Sequence, residues 1–123
     1  MTTVLPIALV ALGAAVGAPL RYLTDRTVQA KHDSVFPWGT FTVNVCGSLI
    51  LGFLTALPTS PSATALLGTG FCGALTTYST FSYETLRLVQ QGARFYALVN
   101  VIASIVAGLG AAAIGLLLAQ AVN

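Results

Sequence analysis

Four long apolar stretches separated by short polar joints account for almost all of this 123-residue chain. They run from about Val4 to Leu23, from Trp38 to Leu57, from Ala63 to Val89 and from Phe95 to Ala119. The joints are Thr24–Pro37, Pro58–Ser62 and Gln90–Arg94. About 20 residues rising about 1.5 Å each climb the roughly 30 Å of a bilayer's hydrocarbon. Each stretch therefore predicts one spanning helix, and residues 1–123 read as a single four-helix, all-α membrane domain.

Composition and charge narrow the classes. Charged residues make up 7% of the chain, and its mean hydropathy is +0.88. A net charge of +2, thinly scattered, excludes a nucleic-acid partner. The first stretch reads as a retained helix and not a signal peptide, because Met1–Pro6 carries no Lys or Arg and the apolar run is long. Cys46 and Cys72 fall inside spans, where they pack as small hydrophobes. With His32 alone in a joint, there is no metal-ligand spacing and no thiol pair. Nothing in the chain pairs a nucleophile with a base, so an enzyme is not expected.

Against this background the polar residues inside the spans carry the information. Thr76, Thr77, Tyr78, Ser79, Thr80, Ser82, Tyr83 and Thr85 crowd hydroxyls into one run, just after Gly68, Gly70 and Gly73. An unsatisfied polar group in hydrocarbon costs several kcal/mol, so polar backbone persists there only beside protein or a water-filled path. Glycines followed by hydroxyls suit a helix broken near its middle, whose free carbonyls and N–H groups bind ions. The alternative is a kinked, continuous helix with each hydroxyl bonded to its own preceding turn. In the second stretch Thr40, Asn44, Gly47 and Ser48 share one stripe, and in the fourth Asn100 and Ser104 lie four apart. An intramembrane Asn is either interhelical glue or a donor to something passing.

Charges and small residues complete the reading. Pro19 bends the end of the first helix, leaving Arg21 and Tyr22 at the interface. Arg21 is either a topological anchor or a means of drawing an anion into a vestibule. Glu84 closes the third helix, where Arg87 can pair with it. Gly13-x-x-x-Gly17, Ala11-x-x-x-Ala15, Gly47 with Gly52, Gly108-x-x-x-Ala112 and Ala111-x-x-x-Gly115 offer faces for close helix approach. Each alone reads as packing within the bundle; together they suggest a partner. Four helices cannot enclose a wide pore, which also favours an oligomer.

Three blocks together resemble the Fluc/CrcB fluoride channels. They are Gly17-x-x-x-Arg21-Tyr22, Pro37-Trp38-Gly39-Thr40-x-x-x-Asn44-x-x-Gly47, and the run from Gly70 to Glu84. The resemblance extends over all four stretches, and its third block is the most specific. It implies a dual-topology antiparallel dimer in the bacterial cell membrane, with two pores exporting cytoplasmic fluoride passively. It also implies a structural sodium ion at the dimer centre, held by backbone carbonyls that map to Gly73 and Thr76. The aromatic pair maps to Tyr78 and Phe81, the pore asparagine to Asn44, and the polar track to Thr40, Ser79 and Thr80, with Ser104 added from the fourth helix. Arg21 and Glu84 correspond to the vestibule and gating positions.

The chemistry agrees with that implication. Fluoride is small and strongly hydrated, so amide and hydroxyl donors must replace its water, and aromatic rings can offer a positive edge. No lysine lies within the spans, which suits release. Two departures stand out. Tyr78 occupies a position usually held by phenylalanine. All five Lys and Arg residues also fall on the side of the first and third joints, which predicts a fixed orientation. An oppositely inserted homologue is therefore the alternative to a homodimer. A small multidrug transporter is the more distant rival, and it lacks support because Val4–Leu23 contains no carboxylate.

Overall fold

The computed structural model describes residues 4–32 and 34–122, and no strand occurs among them. Helix α1 spans Val4–Ala30 and α2 spans Trp38–Thr55. The third stretch is divided into α3, residues 61–75, and α4, Ser79–Gln90. Helix α5 spans Arg94–Val122. Among the described residues, α1, α2 and α5 are the helices long and apolar enough to cross a membrane singly.

α1 continues past the expected end at Leu23, although Asp25, Arg26 and Gln29 read as joint residues. Tertiary partners hold these last turns. Gln29 Oε1 accepts from Gly39 N–H at 3.3 Å, satisfying one of the free donors of the first turn of α2. Its Nε2 reaches the Ser34 and Phe36 carbonyls, at 3.4 Å each. The Asp25 backbone and carboxylate lie against Gly39, where a Cβ would collide with them. Around this corner Trp38 stacks on His32 with ring centroids 5.3 Å apart and packs on Phe36 at 4.6 Å.

α3 begins at a capped end, since Ser60 Oγ accepts from Ala63 N–H at 3.1 Å and Pro61 fills the first position. Its middle, Thr64–Cys72, widens into a π-helix, a geometry that concentrates at functional sites.

Glycine decides how the helices meet. The backbone at Gly52 lies on Ala112, and that at Gly115 lies on Leu49 and Phe53, which joins α2 to α5. Gly13 and Gly17 lie on Leu66 and Phe71, and Gly70 lies on Val10, which joins α1 to α3. A Cβ at any of these glycines would strike backbone atoms. Lipid supplies no hydrophobic drive between helices, so such close approach is the source of attraction. The expected glycine faces thus work within the chain. Ala11, Ala15 and Gly110 remain exposed. Leu12, Val16, Ile105 and Leu109 also face outward, as residues solvated by lipid do.

Candidate functional site

Helical bonding lapses between α3 and α4, where Thr76 is extended (φ −81°, ψ 160°). The peptide groups released there are taken up one by one. Both Thr76 N–H and its hydroxyl donate to Cys72 O at 3.0 Å. Asn44, on α2, holds Thr77 from both sides: Oδ1 accepts from Thr77 N–H at 2.7 Å, and Nδ2 donates to Thr77 O at 3.0 Å. Thr77 Oγ1 accepts from Thr80 N–H at 3.1 Å and so starts α4. Arg21 Nε, on α1, donates to Ala74 O at 3.1 Å, one of the free carbonyls at the end of α3. Among the described residues no hydrogen bond reaches the carbonyls of Gly73 and Thr76.

Beside this interruption lies an open groove of about 880 Å³ between α2, α3 and α5. Asn44, Gly73, Thr76, Tyr78, Phe81 and Ser104 all line it, and no charged residue does. The Tyr78 and Phe81 rings sit 6.4 Å apart, centroid to centroid. Phe81 is half-buried, whereas Tyr78 is 82% exposed. Ser79 and Thr80 belong to the first turn of α4 and do not line the groove.

Thr40 is also outside it. This residue is 2% exposed, in the first turn of α2. Its hydroxyl lies beside the Glu84 carboxyl, but neither Thr40 Oγ1 nor Glu84 Oε1 reaches a well-formed hydrogen bond among the described residues. Asp25 and Arg87 act on the Glu84 carboxyl through charge, but Glu84 Oε1 forms no hydrogen bond with Arg87. Glu84 and Arg87 line a second cavity, of about 310 Å³, together with Gln29, Ser34 and Gln91. Of the predicted residues, Asn44, Gly73, Thr76, Tyr78, Phe81 and Ser104 meet at the groove and Glu84 lines the second cavity, whereas Arg21, Thr40, Ser79 and Thr80 line neither.

Two features differ from the sequence reading. The first helix does not end near Arg21 but runs on to Ala30, and Arg21 Nε donates to Ala74 O beside the interruption. Asn44 serves as interhelical glue, one of the two roles its sequence context left open and the less favoured one, by holding Thr77. A third tie was only half legible. Asn100, 1% exposed, donates from Nδ2 to Thr85 Oγ1 at 2.8 Å, and Thr85 donates to Phe81 O at 2.8 Å. The i, i+4 spacing of Asn100 and Ser104 was visible in the chain; the partner on α4 was not.

Residues 8–116 match the family described as CrcB-like protein, Camphor Resistance (CrcB). The chain is 65% identical over 117 residues to a protein of Streptomyces avermitilis named fluoride-specific ion channel FluC 1, covering 92% of this chain and 94% of that one. It is 59% identical over 123 residues to a protein of the same name from Frankia casuarinae, covering 93% and 95%. A fluoride-specific ion channel FluC 2 of Mycobacterium tuberculosis is 46% identical over 105 residues, covering 85% and 83%. With three membrane-length apolar helices and this family match along most of its length, the chain is a multi-pass protein of the bacterial plasma membrane and belongs to the CrcB-like family.

Proposed function

We propose that the chain is a passive fluoride-selective channel that exports cytoplasmic fluoride, working as an antiparallel dimer with two pores. The observation that carries this reading is the groove: open on one side, uncharged, and offering an amide, hydroxyls and aromatic rings among apolar side chains. A bare small anion needs donors to replace its water. A fixed cation beside it would hold it too long for conduction. Asn44 uses only one of its two Nδ2 protons on Thr77, so one N–H remains for the groove. The Phe81 and Tyr78 rings can turn their positive edges to the same space.

The groove is open along one side, and a second, inverted copy is the partner that would close it. The Gly73 and Thr76 carbonyls suit a sodium ion there. They are oxygen ligands without hydrogen bonds in an uncharged setting, and two copies would supply two pairs. Such an ion, when bound, would tie the copies together through backbone oxygens, its charge shared among them. The five-to-none charge bias favours one variant of this reading, in which the inverted copy is a homologue of opposite bias.

Efflux from liposomes holding the purified protein tests the function, with fluoride- and chloride-selective electrodes as readout. Rapid fluoride release with chloride retained is the expected result. Equal release of both anions would reject selectivity. No release from this chain alone, restored by an oppositely biased homologue, would replace the homodimer with a pair.

A further inference from the structure

The hydrogen bonds joining α4 to α5 have a direction, and that direction ends at the groove. The Phe81 carbonyl can only accept, so Thr85 gives its single hydroxyl proton there, at 2.8 Å. Thr85 Oγ1 is then the acceptor for Asn100 Nδ2, at 2.8 Å. This turns Asn100 Oδ1 toward Ser104, whose Oγ donates to it across a long, weak 3.4 Å. Ser104 lines the groove, whereas Asn100 and Thr85 do not. In this arrangement the groove meets Ser104 as lone pairs, the wrong polarity for an anion.

The same atoms allow a second arrangement. With its amide turned over, Asn100 accepts the Thr85 proton at Oδ1 and donates from Nδ2 to Ser104 Oγ. The Ser104 proton is then free to point into the groove. The buried amide keeps both partners in either state, and the Phe81 carbonyl gives up only a side-chain donor. We infer that Asn100 is a positioning residue whose amide orientation decides whether Ser104 shows the groove a proton or a lone pair. The inference rests on the anion path proposed above. It gives a reason for an Asn 1% exposed inside a span, where a tie between helices alone would not need both faces of an amide.

The concentration dependence of fluoride efflux from liposomes tests this in wild type, Thr85→Val, Asn100→Leu and Ser104→Ala, and in both double variants with Ser104→Ala. Thr85→Val keeps the side chain's shape but removes the proton and acceptor that fix the amide. Asn100→Leu removes the acceptor that holds the Ser104 proton. Asn100→Leu leaves Ser104 as a standing donor, and Thr85→Val frees the amide to turn so that Ser104 can donate. The half-saturating fluoride concentration should therefore fall in both, by roughly threefold in Asn100→Leu and by less in Thr85→Val, a fraction of one hydrogen bond to a charged group. Ser104→Ala should raise it roughly tenfold, about one such bond. Neither partner substitution should then shift it further. A half-saturation unmoved by Thr85→Val, or moved equally with Ala at position 104, would overturn the role. Thr85→Val decides alone if Asn100→Leu does not fold. Wild-type liposomes that stay silent even with an oppositely biased homologue added would reject the conduction reading and this role together. Normal wild-type efflux, alone or in that pair, with independent shifts would reject only the role.

Discussion

Asn44 shows how one residue can be both part of a lining and part of the frame. Its amide replaces two of the backbone hydrogen bonds that α3 and α4 forgo at Thr77. Asn44→Ala removes both, and at about 1 kcal/mol each the protein should lose roughly 2 kcal/mol of stability. A lowered unfolding midpoint in detergent would show it, and an unchanged midpoint would return Asn44 to the lining alone. Phe81→Ile should leave that midpoint nearly unchanged while reducing fluoride efflux, because the ring edge is lost but the apolar volume is largely kept. Tyr78→Phe should be tolerated in both assays. Tyr78 is 82% exposed, and no hydrogen bond engages its hydroxyl among the described residues. At this scale the chain revealed which residues were unusual and concealed what they touched. The polar stripe containing Asn44 is legible from spacing alone, but Thr77 stands 33 residues away and nothing local announces it. Asn100 and Thr85 are hidden for the same reason, since hydrogen-bond partners on separate helices leave no periodic trace.

Helices here are fixed less by their own sequence than by where neighbouring backbones come to rest. Gly52→Ala and Gly115→Ala each drive a methyl group into the facing helix of the α2–α5 pair. Overpacking of this kind should cost about 1–3 kcal/mol. Gly110→Ala on the same helix meets nothing within 4 Å, and should be neutral or stabilising by about 0.5–1 kcal/mol through helix propensity. Thermal unfolding of the three variants side by side checks the contrast, and equal midpoints would refute the close-approach account. Hydropathy located the four stretches well, because length and apolar content are what a bilayer demands. It placed the end of α1 too early because Asp25, Arg26 and Gln29 look like joint residues until α2 is present to receive them. Glycine spacing, for its part, showed that helices meet closely without saying whether the other helix belongs to the same chain.

Orientation is a property of the whole molecule, and here charge and assembly pull apart. Gln29, Ser34, Arg87 and Gln91 line one cavity, so the first joint and the α4–α5 corner lie at the same end. Arg26, Lys31, Arg87 and Arg94 belong to that end, whereas the Pro58–Ser62 joint carries no Lys or Arg. Arg21 is drawn inward to Ala74 O and is a weaker topological signal than a joint residue. The remaining bias still favours one insertion, with the charged end in the cytoplasm. An antiparallel homodimer needs both insertions. The homodimer reading therefore expects two populations in the cell membrane. A functional variant without Cys46 and Cys72 can carry one new cysteine at Gln91 or at Ser62, both exposed and at opposite ends. Ser60 is avoided because its hydroxyl caps α3. Impermeant thiol reagent applied to intact cells should label both positions to similar extents. Labelling at Ser62→Cys alone would mean that charge prevails, and that conduction requires a homologue inserted the other way.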